Sequence, residues 1–201
     1  MNKLSAFVVS ASAYLLLLAG PAFGFMVPAG RFVNRSIGSA TMMRSAMYVS
    51  SPAFKNGGLI PASYARLAAG GRNISIPLQW IGAPPGTRSF AISIVDHHPV
   101  ARMWVHWLIV DVPANVKSFP EGASGKRMPP GSTELLNSFG EAGYGGPQPP
   151  PGSGPHPYVI TVYALSVSRL GLKPATSLSV FKEALGGKVL AKASMTGYFQ
   201  K

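Results

Sequence analysis

Apolar and polar residues alternate along Asn73–Trp80 (NISIPLQW) and again along Ser89–Asp96 (SFAISIVD), the period of two that marks an extended strand. The turn-rich stretch Gly82–Gly86 separates them. In the second segment Phe90, Ile92, Ile94 and Asp96 share one face, so an apolar stripe ends abruptly in a carboxylate. Met103–Val112 (MWVHWLIVDV) is aromatic, β-branched and apolar nearly throughout, which predicts a central strand interrupted by His106. Residues 113–157 read mostly as loop, with Pro129-Pro130-Gly131 and the proline run from Pro147 to Gly152. Loops of that length in a compact domain are usually functional or disordered. Tyr158–Leu165 (YVITVYAL) predicts a further strand, with Tyr158, Ile160 and Val162 on one face. Thr176 or Ser177 caps a short helix through Leu185, stopped by Gly186-Gly187. Lys188–Tyr198 fits helix or strand by pattern alone. No internal repeat is evident, and short strands between turn signals predict an antiparallel sandwich or barrel.

Composition narrows the class. The 201 residues are 47% hydrophobic, too apolar for a disordered chain and, at 12% charged, too poor in charge for a coiled coil. The absence of Cys excludes disulfides, thiolate metal sites and a Cys nucleophile. The formal charge is +12, yet the basic residues are dispersed and Lys126-Arg127 is their only adjacent pair. A nucleic-acid surface calls for a clustered stripe or a stacking platform, so no nucleic-acid partner is expected. No charged residue occurs from Leu4 to Gly30, and Ala22 and Gly24 supply the small residues read by a signal peptidase. Residues 1–24 therefore read as a signal peptide for a periplasmic or secreted protein, the alternative being an N-terminal membrane anchor. Residues 25–46 read as a poorly ordered linker, and the domain begins at Met47, giving 47–201.

The ionisable groups of this charge-poor chain gather in two places. His97, His98 and His106 surround one strand pair, His156 follows the proline loop, and Asp96 is one of only two aspartates. His156 and Tyr158 leave the same face of an extended segment. Three chemistries compete. In an anion pocket, imidazole and phenol donate hydrogen bonds to phosphate-like oxygens while Asp96 fixes a tautomer. A His/Asp metal site has no H-E-x-x-H or other short metal spacing to support it. A His–Asp acid–base hydrolase lacks an obvious nucleophile, since no G-x-S-x-G occurs. Against all three stands a structural role, with His106 a satisfied core histidine and His97-His98 a turn.

The same residues resemble the phosphatidylethanolamine-binding protein family, in its bacterial Raf-kinase-inhibitor-like branch. The matching pieces run from Ser51 to Phe199. They include Ser51-Pro52-Ala53-Phe54, Pro77-Leu78-Gln79-Trp80, Asp96, Trp104-Val105-His106-Trp107, Tyr144-Gly145-Gly146-Pro147 and Gly154-Pro155-His156-Pro157-Tyr158. The resemblance implies a mainly β fold, a two-sheet antiparallel β-sandwich with short C-terminal helices. It also implies a binding protein rather than an enzyme, without cofactor, whose small pocket takes a phosphate-type anion or phospholipid head group. By motif position the ligand-binding residues are Asp96, His98, His106, Pro150, His156 and Tyr158. Relatives suggest a homodimer and, as the alternative function, inhibition of a protein target such as a protease or kinase; a metal-dependent hydrolase ranks behind both. Two departures stand out: the family's second acid is replaced by His98, and its Arg after the motif histidine by Pro157. An ion pair bracing the pocket loop must then come from elsewhere, with Arg102 a candidate.

Overall fold

Strands form where alternation and β-branched residues coincide, and a computed structural model describes residues 46–201 of the chain. The expected signal peptide and linker, apart from Ala46, lie outside the described residues. The elements are β1 (Tyr48–Ser50), β2 (Leu78–Ile81), β3 (Ser89–Asp96), β4 (Trp104–Pro113), β5 (Ser118–Phe119), β6 (Thr133–Glu134), β7 (His156–Leu165), α1 (Leu178–Ala184) and β8 (Val189–Phe199). They build two antiparallel sheets, one in the order β1-β2-β5 and one in the order β6-β4-β3-β7-β8. The fold is the expected two-sheet sandwich, with one α-helix among the described residues.

The inner faces meet in one core. Val49, Leu78, Trp80 and Phe119 from the small sheet pack against Phe90, Ile92, Ile94, Trp107, Ile160 and Val162 from the large one. The opposite face of the large sheet is covered too. There Ala91, Val105, Leu108, Val110 and Leu165 pack with Phe181 and Leu185 from α1 and its cap. Every residue of β3 is consequently buried, although its alternation alone resembles a strand with one wet face.

Several sequence expectations shift. The strand expected over Asn73–Trp80 starts only at Leu78, because Pro77 has no N–H for a ladder and Asn73 is left-handed at φ +51°. Its first half is tied instead to a loop, with Gly122 N donating to Ser75 O and Ser124 N to Ser75 Oγ. The 113–157 stretch holds the two-residue strands β5 and β6. β7 begins two residues early, at His156, and Lys188–Tyr198 resolves as the edge strand β8. Ser177 is the helix cap, its Oγ accepting from Val180 N at 3.3 Å.

Two irregularities in the β3–β4 ladder redirect polar side chains. Ile94 pairs with Trp107 and Val95 with Val105, so His106 is an extra residue on β4. A bulge of this kind turns a side chain out of strict alternation. Here it brings His106 to the inner face beside Trp107, with its ring 4.9 Å from that of Tyr158 on β7. The second bulge falls at Asp111 (φ +60°), whose carboxylate accepts from Leu170 N at 2.6 Å and anchors the chain entering α1.

Candidate functional site

Asp96 ends β3 in register with Trp104 on one side and Tyr158 on the other. The apolar stripe of β3 thus stops at the rim of a cavity of about 390 Å³. Asp96, His106, Pro150, His156 and Tyr158, all expected from sequence, line it together. Val100, Ala101, Trp104, Phe139, Gln148 and Pro149 complete the wall. His98 is placed differently. Its ring stacks on that of His156, centroids 3.9 Å apart, and its Nδ1 accepts from Val100 N, so it backs the wall without lining it.

The carboxylate of Asp96 is buried and both its oxygens are engaged. Oδ1 accepts the His98 backbone N–H at 2.8 Å, and Oδ2 lies 2.6 Å from His156 Nδ1. The histidine that Asp96 contacts is therefore His156, the geometry that a tautomer-fixing carboxylate requires. On the far side of that ring, Nε2 lies 2.9 Å from Ser153 Oγ.

His106 departs from expectation. Its Nδ1 is 2.6 Å from Gly145 O, and a carbonyl can only accept, so Nδ1 carries the proton. Burial of the ring lowers its pKa to about 4, although the Gly145 carbonyl and the Asp96 charge pull the other way. His106 is therefore a neutral imidazole above that value, its second nitrogen an acceptor and not the N–H donor to an anion foreseen from sequence.

Tyr158 places a hydroxyl beside this ring. Its hydroxyl is buried and makes no hydrogen bond of good geometry, although Asp96 and the Gln148 backbone lie near enough to bear on its ionisation. Burial first and the Asp96 charge second hold the phenol protonated, its pKa well above the ordinary value. A buried unpaired hydroxyl costs about 1–3 kcal/mol, so its position at a cavity calls for a reason.

The floor behind His106 is the Tyr144–Pro147 segment. Gly145 N donates to His106 O, Gly146 N donates to Asn73 Oδ1 at 2.8 Å, and Tyr144 Oη donates to Tyr64 O at 2.9 Å. Only glycine fits at position 146, where a Cβ would stand 2.0 Å from Tyr64 O. The ion pair that braces this region joins Arg66 to Glu141 by two bonds of 2.8 and 2.9 Å, with the guanidinium 4.0 Å over the Phe139 ring. Arg102, the candidate from sequence, caps a short turn at Pro99–Ala101 and forms no ion pair among the described residues. Arg66 and Glu141 lie 75 positions apart, and no local signal links them. Among the described residues no three His, Asp or Glu side chains form a metal-holding group.

Comparison with known proteins bears on this arrangement. Residues 50–200 match the family model described as phosphatidylethanolamine-binding protein. The chain belongs to the phosphatidylethanolamine-binding protein family. Among its relatives, a UPF0098 protein of Aquifex aeolicus is 36% identical over 155 residues, covering 77% of this chain and 89% of that one. The crystal structure of Escherichia coli YbcL superposes with a TM-score of 0.73 at 32% identity, over 78% of this chain and 99% of that one. A Mycobacterium tuberculosis relative whose name includes the word lipoprotein, LppC, is 31% identical over 76% of this chain and 71% of its own.

Proposed function

We propose that this family member is an exported binding protein whose cavity takes a phosphate-type ligand, free or as a phospholipid head group, reversibly and without turning it over. The observation that carries the reading is the buried, unpartnered Tyr158 hydroxyl at a 390 Å³ cavity. It donates to a ligand oxygen and thereby loses its unsatisfied state. Asp96 and the second nitrogen of His106 are acceptors, so the ligand presents a proton to them, as a phosphomonoester with one protonated oxygen or a zwitterionic head group does. Trp104 and Phe139 give the aliphatic part of such a ligand an apolar wall. Export rests on the charge-free segment from Leu4 and on the lipoprotein name of one relative.

The test is calorimetric titration of the wild type, Tyr158→Phe and His156→Ala with O-phosphoethanolamine. A hydrogen bond to a charged acceptor contributes about 1.5–3 kcal/mol, so Tyr158→Phe is expected to lose roughly ten- to a hundredfold in affinity, and His156→Ala to weaken binding by releasing the Asp96 carboxylate it orients. Unchanged affinity in both variants, with circular dichroism intact, removes the pocket from the function.

A further inference from the structure

The loop before β7 adds a serine, outside the cavity lining, that the binding reading does not use. Ser153 Oγ is 2.9 Å from His156 Nε2, and His156 Nδ1 is 2.6 Å from Asp96 Oδ2. Hydroxyl, imidazole and carboxylate stand in line within hydrogen-bonding reach, the arrangement by which a serine is activated as a nucleophile. The three come from positions 96, 153 and 156 with no G-x-S-x-G signature, which is why no nucleophile is visible in the sequence. We propose that Ser153, His156 and Asp96 form a nucleophile–base–carboxylate relay that accepts an acyl group from an activated ester.

The base is held from three sides. Asp96 Oδ2 accepts the hydrogen bond of its Nδ1–H, the His98 backbone N–H fixes Asp96 through Oδ1, and the His98 ring stacks on the imidazole at 3.9 Å. Nε2 is thereby left to take the serine proton. Ser153 itself is half-buried and flanked by Gly152 (φ +75°) and Gly154 (φ +84°). At both glycines the space a side chain would fill is open, so a planar ester has room beside the hydroxyl. The sequence also contains its own control. Pro129-Pro130-Gly131-Ser132 repeats Pro150-Pro151-Gly152-Ser153. Each serine Oγ donates to the carbonyl of the first proline at 2.6 Å, so activation of Ser153 requires its proton to turn from Pro150 O to His156 Nε2. Only the second turn has a histidine behind its serine among the hydrogen bonds of the described residues.

In the acylation step Ser153 Oγ forms a bond to the ester carbonyl carbon while its proton passes to His156 Nε2. The bond from that carbon to the leaving oxygen then breaks, and the leaving group takes the proton. Water reverses the sequence: its proton goes to Nε2, its oxygen bonds to the carbonyl carbon, and the C–Oγ bond breaks with the proton returned to Ser153. Pro155 has no N–H, so Gly154 supplies the one backbone donor immediately after the nucleophile. One missing oxyanion donor costs roughly 10²–10³ in rate, so acylation should be readable and turnover slow.

The experiment incubates the intact protein with p-nitrophenyl acetate and maps the acetylated peptides by mass spectrometry. One acetyl group is expected on Ser153, with Ser132 unlabelled, and its appearance slowed by roughly a hundredfold or more in His156→Gln. Labelling at that peptide is absent in Ser153→Ala. Asp96→Asn keeps the serine and the base but moves the midpoint of the acylation pH profile downward, a readout that a purely structural role leaves in place. Equal labelling of Ser132 and Ser153, labelling confined to lysines, or labelling that persists in His156→Gln overturns the relay. O-phosphoethanolamine titrated into the same wild-type protein reports on the binding reading separately, so absent acetylation with intact binding removes the relay alone.

Discussion

Tyr158 carries opposite consequences for stability and for binding. Without ligand its buried hydroxyl is unpaired, so Tyr158→Phe is expected to raise the stability of the free protein by about 1 kcal/mol while weakening ligand affinity. Thermal unfolding without ligand checks the first half, and a fall in stability would mean that the hydroxyl has a partner in solution. His106 makes a pH prediction. Its folded pKa, about 4, lies below the ordinary histidine value of 6.5, so the unfolded chain binds the extra proton first as pH falls. The stability it contributes is complete above pH 6.5 and drains away as pH drops toward 4, by an amount on the order of 3 kcal/mol. Urea unfolding of wild type and His106→Gln at pH 7 and pH 4.5 checks this, the pH-dependent loss being smaller in the variant. Asp96, His106, His156 and Tyr158 were legible as a group because ionisable residues are scarce in this chain. The direction of the His106 proton was not, since it depends on the Gly145 carbonyl 39 positions away.

Elements were legible in proportion to their length and alternation. β3, β4 and β7 stand out because each runs eight residues or more, whereas β1, β5 and β6 have three residues at most, too few for a period to register. β8 was ambiguous because its lysine spacing suits either element; pairing along the whole edge of β7 decides it. The second buried face of the large sheet was illegible for a related reason, since its cover comes from a seven-residue helix with one fully buried side chain, Phe181. Phe181→Ala is therefore expected to cost about 3–5 kcal/mol in urea unfolding. O-phosphoethanolamine affinity should stay unchanged at a denaturant-free temperature where the variant is folded, because α1 packs on the sheet face opposite His106 and Tyr158. A change of affinity greater than about threefold, roughly 0.6 kcal/mol, would show that the two faces of the sheet are coupled.

At the scale of the whole chain, both apolar clusters of the described residues are assembled from Met47 onward, and the family match begins at residue 50. The strands that carry the site, β3, β4 and β7, are neighbours inside one sheet, so cavity and core are one cooperative object. The preceding residues have a different character: a charge-free run to Gly30, then Arg31, Arg35 and Arg44 among small residues without a period. In sequence, residues 25–46 offer no periodic apolar face to pack against the domain. A chain beginning at Met47 is thus expected to unfold within about 4 °C of the full-length protein, the shift that roughly 1 kcal/mol produces at this size. It should also bind O-phosphoethanolamine with the same affinity. Scanning calorimetry and titration of the two proteins side by side make the comparison. A larger fall in the thermal midpoint would assign the first 46 residues a share of the packing and move the domain boundary upstream.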